Sequence, residues 1–348
     1  MGQKNLVMNH YFRNKERFAD LFNGVYFQGE KVINSKDLTE ISGVYEESEE
    51  APLVEVGTQN CVAGNEDKAT LMPPPRKSRN RDVEMSLSTG EVFRLLAIEN
   101  QENVNYIMPF RCMQYDTLEY SRQISDLQAK NVKDDEYDSG DEWLCKVKKT
   151  DRLTPVYTLC VYHGEEEWDG PRSLKDMMDF GEDGDGMSRY FADYPLHLYC
   201  INEQEIFDTF HTEIKELFQL IKYRKDKKRL QQEIEGNPQY QRMDIESLEV
   251  LSVMLDAPKI WNERRKYMNK EREQQEDCNM CQALREWIEE ERSLGWAEGE
   301  AKGEIKGAME KTQIIVRNML RRGMSDEDIM ALAECSQEFV DEVRKREV

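Results

Sequence analysis

The chain has 348 residues, enough for one large domain or two ordinary ones, with 48 Lys plus Arg against 70 Asp plus Glu and a formal net charge of −22. Affinity for nucleic acid rests mainly on phosphate neutralisation, so this balance excludes attraction to DNA by the surface as a whole and demands a local basic patch. No apolar run approaches the roughly 20 residues of a membrane span, and the start MGQKNLVMNH lacks a signal-peptide core. A cytoplasmic protein with no membrane partner is expected, its eight cysteines reduced.

In chain order, Tyr11 to Phe27 reads as a helix with Phe18, Leu21, Phe22 and Val25 on one face, weakened by Asn23-Gly24. Asp20 lies away from that stripe, where a solvated carboxylate and a site residue are equally good readings. Residues 44–75 are an insert: the acidic run Glu46 to Glu50, then Gly57, Gly64 and Pro73-Pro74-Pro75. Arg76, Lys77, Arg79 and Arg81 follow, the densest positive segment, and they lead straight into Asp82.

Val83, Met85 and Leu87 alternate with polar residues, and Val92 to Ile98 is apolar and β-branched after Thr89-Gly90, which predicts a hairpin. A Thr89-Gly90 loop would set Asp82 opposite Ala97, and period-2 alternation puts Glu99 and Gln101 on the face that carries Asp82. Two carboxylates and an amide thus gather at one end of a hairpin. One reading is a strand ending in solvent; the other is a hard-cation site, since Mg²⁺ takes one or two carboxylates plus waters and substrate phosphate. Spacing alone leaves both open.

Asn105 to Lys130 reads as a helix with Met113, Leu118, Ile124 and Leu127 inward, and Asn131 to Glu142 as an acidic loop. Leu153 to Tyr162 is a buried strand, and Leu196 to Ile201 a last short one. Glu182 to Gly186 has calcium-loop flavour without the spacing of an EF-hand, and is read as a solvated turn. From Glu203 the chain turns helical, with the stripe Ile206, Phe207, Phe210, Ile214, Leu217, Phe218 and Ile221 and five Lys or Arg between Tyr223 and Arg229. Cys278 and Cys281 form a lone CxxC with no second ligand pair, hence an inert one. Gly295, Gly299, Gly303 and Gly307 recur in charged helical sequence, each costing about 1 kcal/mol against Ala, as a close-approach face or a marginal spacer. Three short helices then follow, with Ser325 and Ser336 as N-caps and a helix-turn-helix-like order. Their acidic last helix suits homo-oligomerisation better than phosphate.

Arg81-Asp82, Ile98-Glu99-Asn100-Gln101, Met108-Pro109, Arg111, Tyr115-Asp116 and Tyr120 together resemble the recombination-promoting nuclease, or transposase-like, family of the PD-(D/E)XK nuclease superfamily. The resemblance runs from about Tyr11 to Cys200, with a family-like tail after Gly295. It implies an α/β fold with a restriction-endonuclease-like mixed sheet (α-β-β-α-β plus an extra strand) over 1–202, a helical region over 203–294, and a Gly-repeat spacer with terminal helices over 295–348. It implies a Mg²⁺-dependent deoxyribonuclease, with Mn²⁺ as a substitute. Asp82 and Glu99 would hold the ion with the Asn100 carbonyl, Gln101 would orient water, and Arg76, Lys77, Arg79 and Arg81 would contact DNA. Arg111, Tyr115 and Tyr120 would support the site. Two departures stand out: Gln101 replaces the usual Lys, and Arg81 replaces the Pro of the Pro-Asp pair. They keep a second reading in view, a nuclease fold retained as a DNA- or protein-binding regulatory module.

Overall fold

The computed structural model describes residues 2–41, 44–46, 78–89, 92–181, 186–268 and 277–345. The chain divides into two compact units, Met1–Cys281 and Gln282–Val348.

The first unit begins with α1 (Gln3–Phe12) and α2 (Lys15–Phe27), where the sequence suggests a single helix. Asn14 separates them: its side chain accepts from the Glu16 and Arg17 N–H groups and so starts a new helix. Gly24 has a packing reason, since a Cβ there would fall 2.2 Å from the Phe210 ring. Next come β1 (Leu38–Glu40), β2 (Val44–Glu46), β3 (Ser78–Asn80), β4 (Val83–Thr89) and β5 (Val92–Gln101). The helices α3 (Met108–Asp134) and α4 (Gly140–Cys145) lead to β6 (Val156–Tyr162) and β7 (Leu198–Cys200). Most of the insert, 47–77, and the acidic turn, 182–185, lie outside the described residues.

The main sheet runs β1-β4-β5-β6-β7, while β2 and β3 pair separately. It is mixed: β1, β4 and β5 are antiparallel neighbours, whereas β5, β6 and β7 are parallel. The long α3 is the crossover that makes the parallel β5–β6 pair feasible. On the α3 face, Met108, Cys112, Cys160, Tyr162, Trp168, Leu196 and Cys200 form a buried cluster. The opposite face is covered from α1 and α2, whose Phe12 meets Phe218 edge-on.

The hairpin register differs from expectation. Its last pair is Thr89 with Val92 and its first Val83 with Ile98, which brings Asp82 level with Glu99 instead of Ala97. The offset is two residues, so every side chain keeps the face that alternation assigns it.

Beyond β7, the stripe from Ile206 to Ile221 is not one helix. Only α5 (Ile214–Lys222) is helical; Ile206 is exposed, and Phe207 and Phe210 are buried from irregular backbone. Asp20 explains the break. Its buried carboxylate accepts the His211 and Thr212 N–H groups (2.9 and 2.8 Å) and the Thr212 hydroxyl (2.7 Å). It is therefore neither solvated nor part of the site. The helices α6 (Lys227–Gly236), α7 (Ile245–Met254), α8 (Pro258–Asn262) and α9 (Arg264–Tyr267) follow, with β8 (Met243–Asp244) pairing β9 (Asp277–Cys278). They pack as part of the first unit: Arg17 of α2 pairs with Asp244 at 2.8 Å and with Glu246. Cys278 and Cys281 are buried free thiols.

The long α10 (Met280–Arg321) carries the four glycines, and at Gly307 an added Cβ would meet open space. Within the second unit, α10 packs with α11 (Asp326–Ala333) and α12 (Gln337–Lys345) around Val316, Ile329, Val340 and Val343. Ser325 and Ser336 accept from the Asp328 and Phe339 N–H groups, as N-caps do. Among the described residues no helix is long and apolar enough to cross a membrane.

Candidate active site

Asp82 sits in the bend before β4, where the ladder to β5 has just ended. Its Oδ2 takes the place of a backbone acceptor, accepting the Asn100 N–H at 2.8 Å. Glu99, one residue earlier on β5, is fully buried, and its Oε2 accepts from Arg111 Nη2 at 3.2 Å. The other oxygen of each, Asp82 Oδ1 and Glu99 Oε1, is buried without a hydrogen-bond partner. Such orphan acceptors are costly unless something else satisfies them.

Burial raises both carboxylates above the ordinary range. Glu99 is pushed up to about 8, first by burial and next by the charge on Asp82, against the opposing pull of Arg111 and Arg81. Asp82 is raised by burial and held back by hydrogen bonds from Asn100 and Asn9. Perturbed acids of this kind cluster at functional sites.

Asn100 points its side chain to the opposite face, where Nδ2 donates to Asn9 Oδ1 of α1 at 2.7 Å. Its main-chain carbonyl leaves the strand on the same side as its N–H, toward Asp82, because both groups of one strand residue face one neighbour. Gln101 is buried and makes no side-chain hydrogen bond among the described residues. Among those residues, no three His, Cys, Asp or Glu side chains stand together to hold a metal. The donor set is two carboxylates and a carbonyl, which fits a hard cation that keeps several waters.

Residues 79–243 match the family described as "Putative transposase, YhgA-like". This region belongs to that family, one of the PD-(D/E)XK nuclease-like group. The YhgA-like region takes in both carboxylates, α3, β6 and β7, and excludes α1 with its Asn9. No curated protein and no solved structure matches the chain.

Of the expected basic lip, Arg81 is the member whose side chain the described residues include. Arg76 and Lys77 lie outside the described residues, and Arg79 is on β3 opposite Tyr45. Arg81 is a correction. Its guanidinium is wholly buried, donating to Asp116 Oδ1 at 2.7 Å and to Thr158 Oγ1 at 2.6 Å, so it serves the core and not a DNA surface. Tyr194 donates to the second Asp116 oxygen at 2.5 Å. The first two cations after Tyr223 are also committed: buried Arg224 donates to the His163 carbonyl at 2.9 Å, and Lys225 pairs with Glu165 at 2.7 Å, while Lys227, Lys228 and Arg229 are exposed.

Of the supporting residues, Tyr115 lies between two cations, with Arg81 Cζ and Arg111 Cζ each 5.5 Å from its ring centre. Arg111 Nε also donates to its hydroxyl at 3.3 Å. Tyr120 stands apart from the carboxylates. Its hydroxyl accepts the Val156 N–H at 3.1 Å and fixes the start of β6. Sequence reasoning missed Asn9, Thr158 and Tyr194; only Asp116 had a signal, its adjacency to Tyr115.

Proposed function

We propose that the YhgA-like region hydrolyses DNA phosphodiester bonds, with Mg²⁺ held by Asp82, Glu99 and the Asn100 carbonyl. The observation that carries this reading is the pair of buried carboxylate oxygens, Asp82 Oδ1 and Glu99 Oε1, left without a hydrogen-bond partner among the described residues. A bound Mg²⁺ supplies a Lewis acid and a more acidic water. The chain does the rest. The Asn100 N–H fixes the Asp82 carboxylate, the buried setting of Glu99 excludes bulk water, and the Gln101 amide orients the attacking water. Hydrolysis joins the water oxygen to phosphorus, breaks one phosphorus–oxygen ester bond and leaves a proton for the departing oxygen. The same oxygen donors would also suit Mn²⁺.

A second reading, a nuclease fold kept as a binding or regulatory module, is favoured by the neutral Gln101 and by the net charge of −22. A Mn²⁺ titration coupled to a cleavage assay across metals and DNA forms separates the two. The first reading expects weak Mn²⁺ binding that Asp82→Asn abolishes, together with cleavage. Metal binding without cleavage of any DNA form supports the second, and no metal binding contradicts the first.

A further inference from the structure

The charge missing at Gln101 has to come from elsewhere, because a phosphodiester gains negative charge as water attacks and the site's own two acids repel it. Among the described residues, the side chains of Arg81 and Arg111 act on the acids, and Lys4 pairs with Glu102 just past the end of β5. Arg81 is fully enclosed and spent on Asp116. Lys4, on α1, is spent on Glu102 at 3.4 Å and Asp256 at 3.5 Å. Arg111 differs from both. It stands in the first turn of α3, on the Glu99 face of the sheet, with a side chain 30% exposed beside a Glu99 that is 0% exposed. Its Nη2 meets Glu99 and its Nε meets Tyr115, while Nη1 has no partner among the described residues.

We infer that Arg111 contacts the phosphate under attack through its free Nη1 edge, supplying the positive charge that Gln101 lacks. The inference rests on the nuclease reading above and adds a substrate-binding residue to it. Guanidinium geometry suits this role, because a planar fork can hold a carboxylate on one edge and present the other edge to a phosphate oxygen. Stacking on Tyr115 and the hydrogen bond to its hydroxyl fix the plane of that fork. A plain counter-ion for Glu99 would need neither the exposed edge nor the orienting ring.

Duplex binding measured against salt with Ca²⁺ in place of Mg²⁺, followed by Mg²⁺-dependent nicking, tests this. Losing one phosphate contact lowers the slope of log K against log salt by about 0.9. Arg111→Gln is expected to show that loss and to cut nicking about 100-fold or more, as loss of one preorganised donor does. Arg111→Lys, which keeps the charge and the fold, should keep the slope and recover nicking only in part. Lys4→Gln should leave both unchanged. An unchanged slope in Arg111→Gln, or a loss that appears in Lys4→Gln instead, overturns the inference. If wild type nicks and Arg111→Gln nicks equally, the inference alone fails. If wild type nicks with no metal, the nuclease reading fails, and the slope still decides whether Arg111 touches phosphate.

Discussion

Arg81→Ala is expected to destabilise the protein by about 3–5 kcal/mol, the range for removing one partner of a buried ion pair. The loss comes mainly from what remains. Asp116 would keep its charge with the guanidinium gone, supported only by the hydroxyls of Thr158 and Tyr194 at 2.7 and 2.5 Å. Tyr115 would also lose the cation on one face of its ring. Neutralising the acid should restore part of the stability, so Arg81→Met with Asp116→Asn is expected to be more stable than Arg81→Met alone. Denaturant unfolding of wild type, the two single variants and the double variant forms a double-mutant cycle that isolates the coupling. A loss under about 1 kcal/mol for Arg81→Ala would show that the pair is not closed, and would return Arg81 to the DNA surface that its basic neighbours suggest.

Glu99 gives the second large effect, in pH dependence. Its folded-state pKa lies at about 8 against an ordinary 4.5. Without metal, the folded state therefore holds a proton between those values that the unfolded state has released. More protons on the folded state mean that stability falls as pH rises. The stabilising contribution is complete below pH 4.5 and disappears as pH climbs through about 8. Its size is on the order of a few kcal/mol, since a tenfold change in proton affinity corresponds to about 1.4 kcal/mol. Glu99→Gln removes the titrating group and should flatten this part of the profile. Mn²⁺ has the opposite sign: it needs the carboxylate, so its affinity should rise with pH up to about 8. A metal-free profile that rises over this window, or one that Glu99→Gln leaves unaltered, contradicts the buried, protonated Glu99.

Asp82 and Glu99 were legible because side-chain parity survives an error of register: moving the hairpin pairing by two residues leaves both acids on one face. The strands β4, β5 and β6 were legible from alternation and β-branched density, and α3 from its length. Arg81 was not, because its partners stand 35 and 77 residues away on α3 and β6, while locally it only extends a basic run. Asn9 was hidden by α1 itself. Val7, Met8, Asn9, Tyr11 and Phe12 are all buried, so Asn9 sits within the buried face of the helix, where nothing local marks it as the partner of Asn100. The break before α5 was hidden for a related reason. Phe207 and Phe210 are buried as a helical stripe would bury them, but an anchor from Asp20, far back in the chain, sets their backbone.

The most direct test of the central claim is supercoiled plasmid nicking by wild type and by Glu99→Gln, with Mg²⁺ or Mn²⁺ and with the folded state of the variant verified. Glu99→Gln keeps the shape and burial of the side chain while removing the negative oxygen that the ion needs. Wild type is expected to nick only with metal, and the variant to fall to the metal-free background. Nicking by a clean preparation of Glu99→Gln at the wild-type rate would contradict the assignment of the Asp82–Glu99 pair as the catalytic metal site.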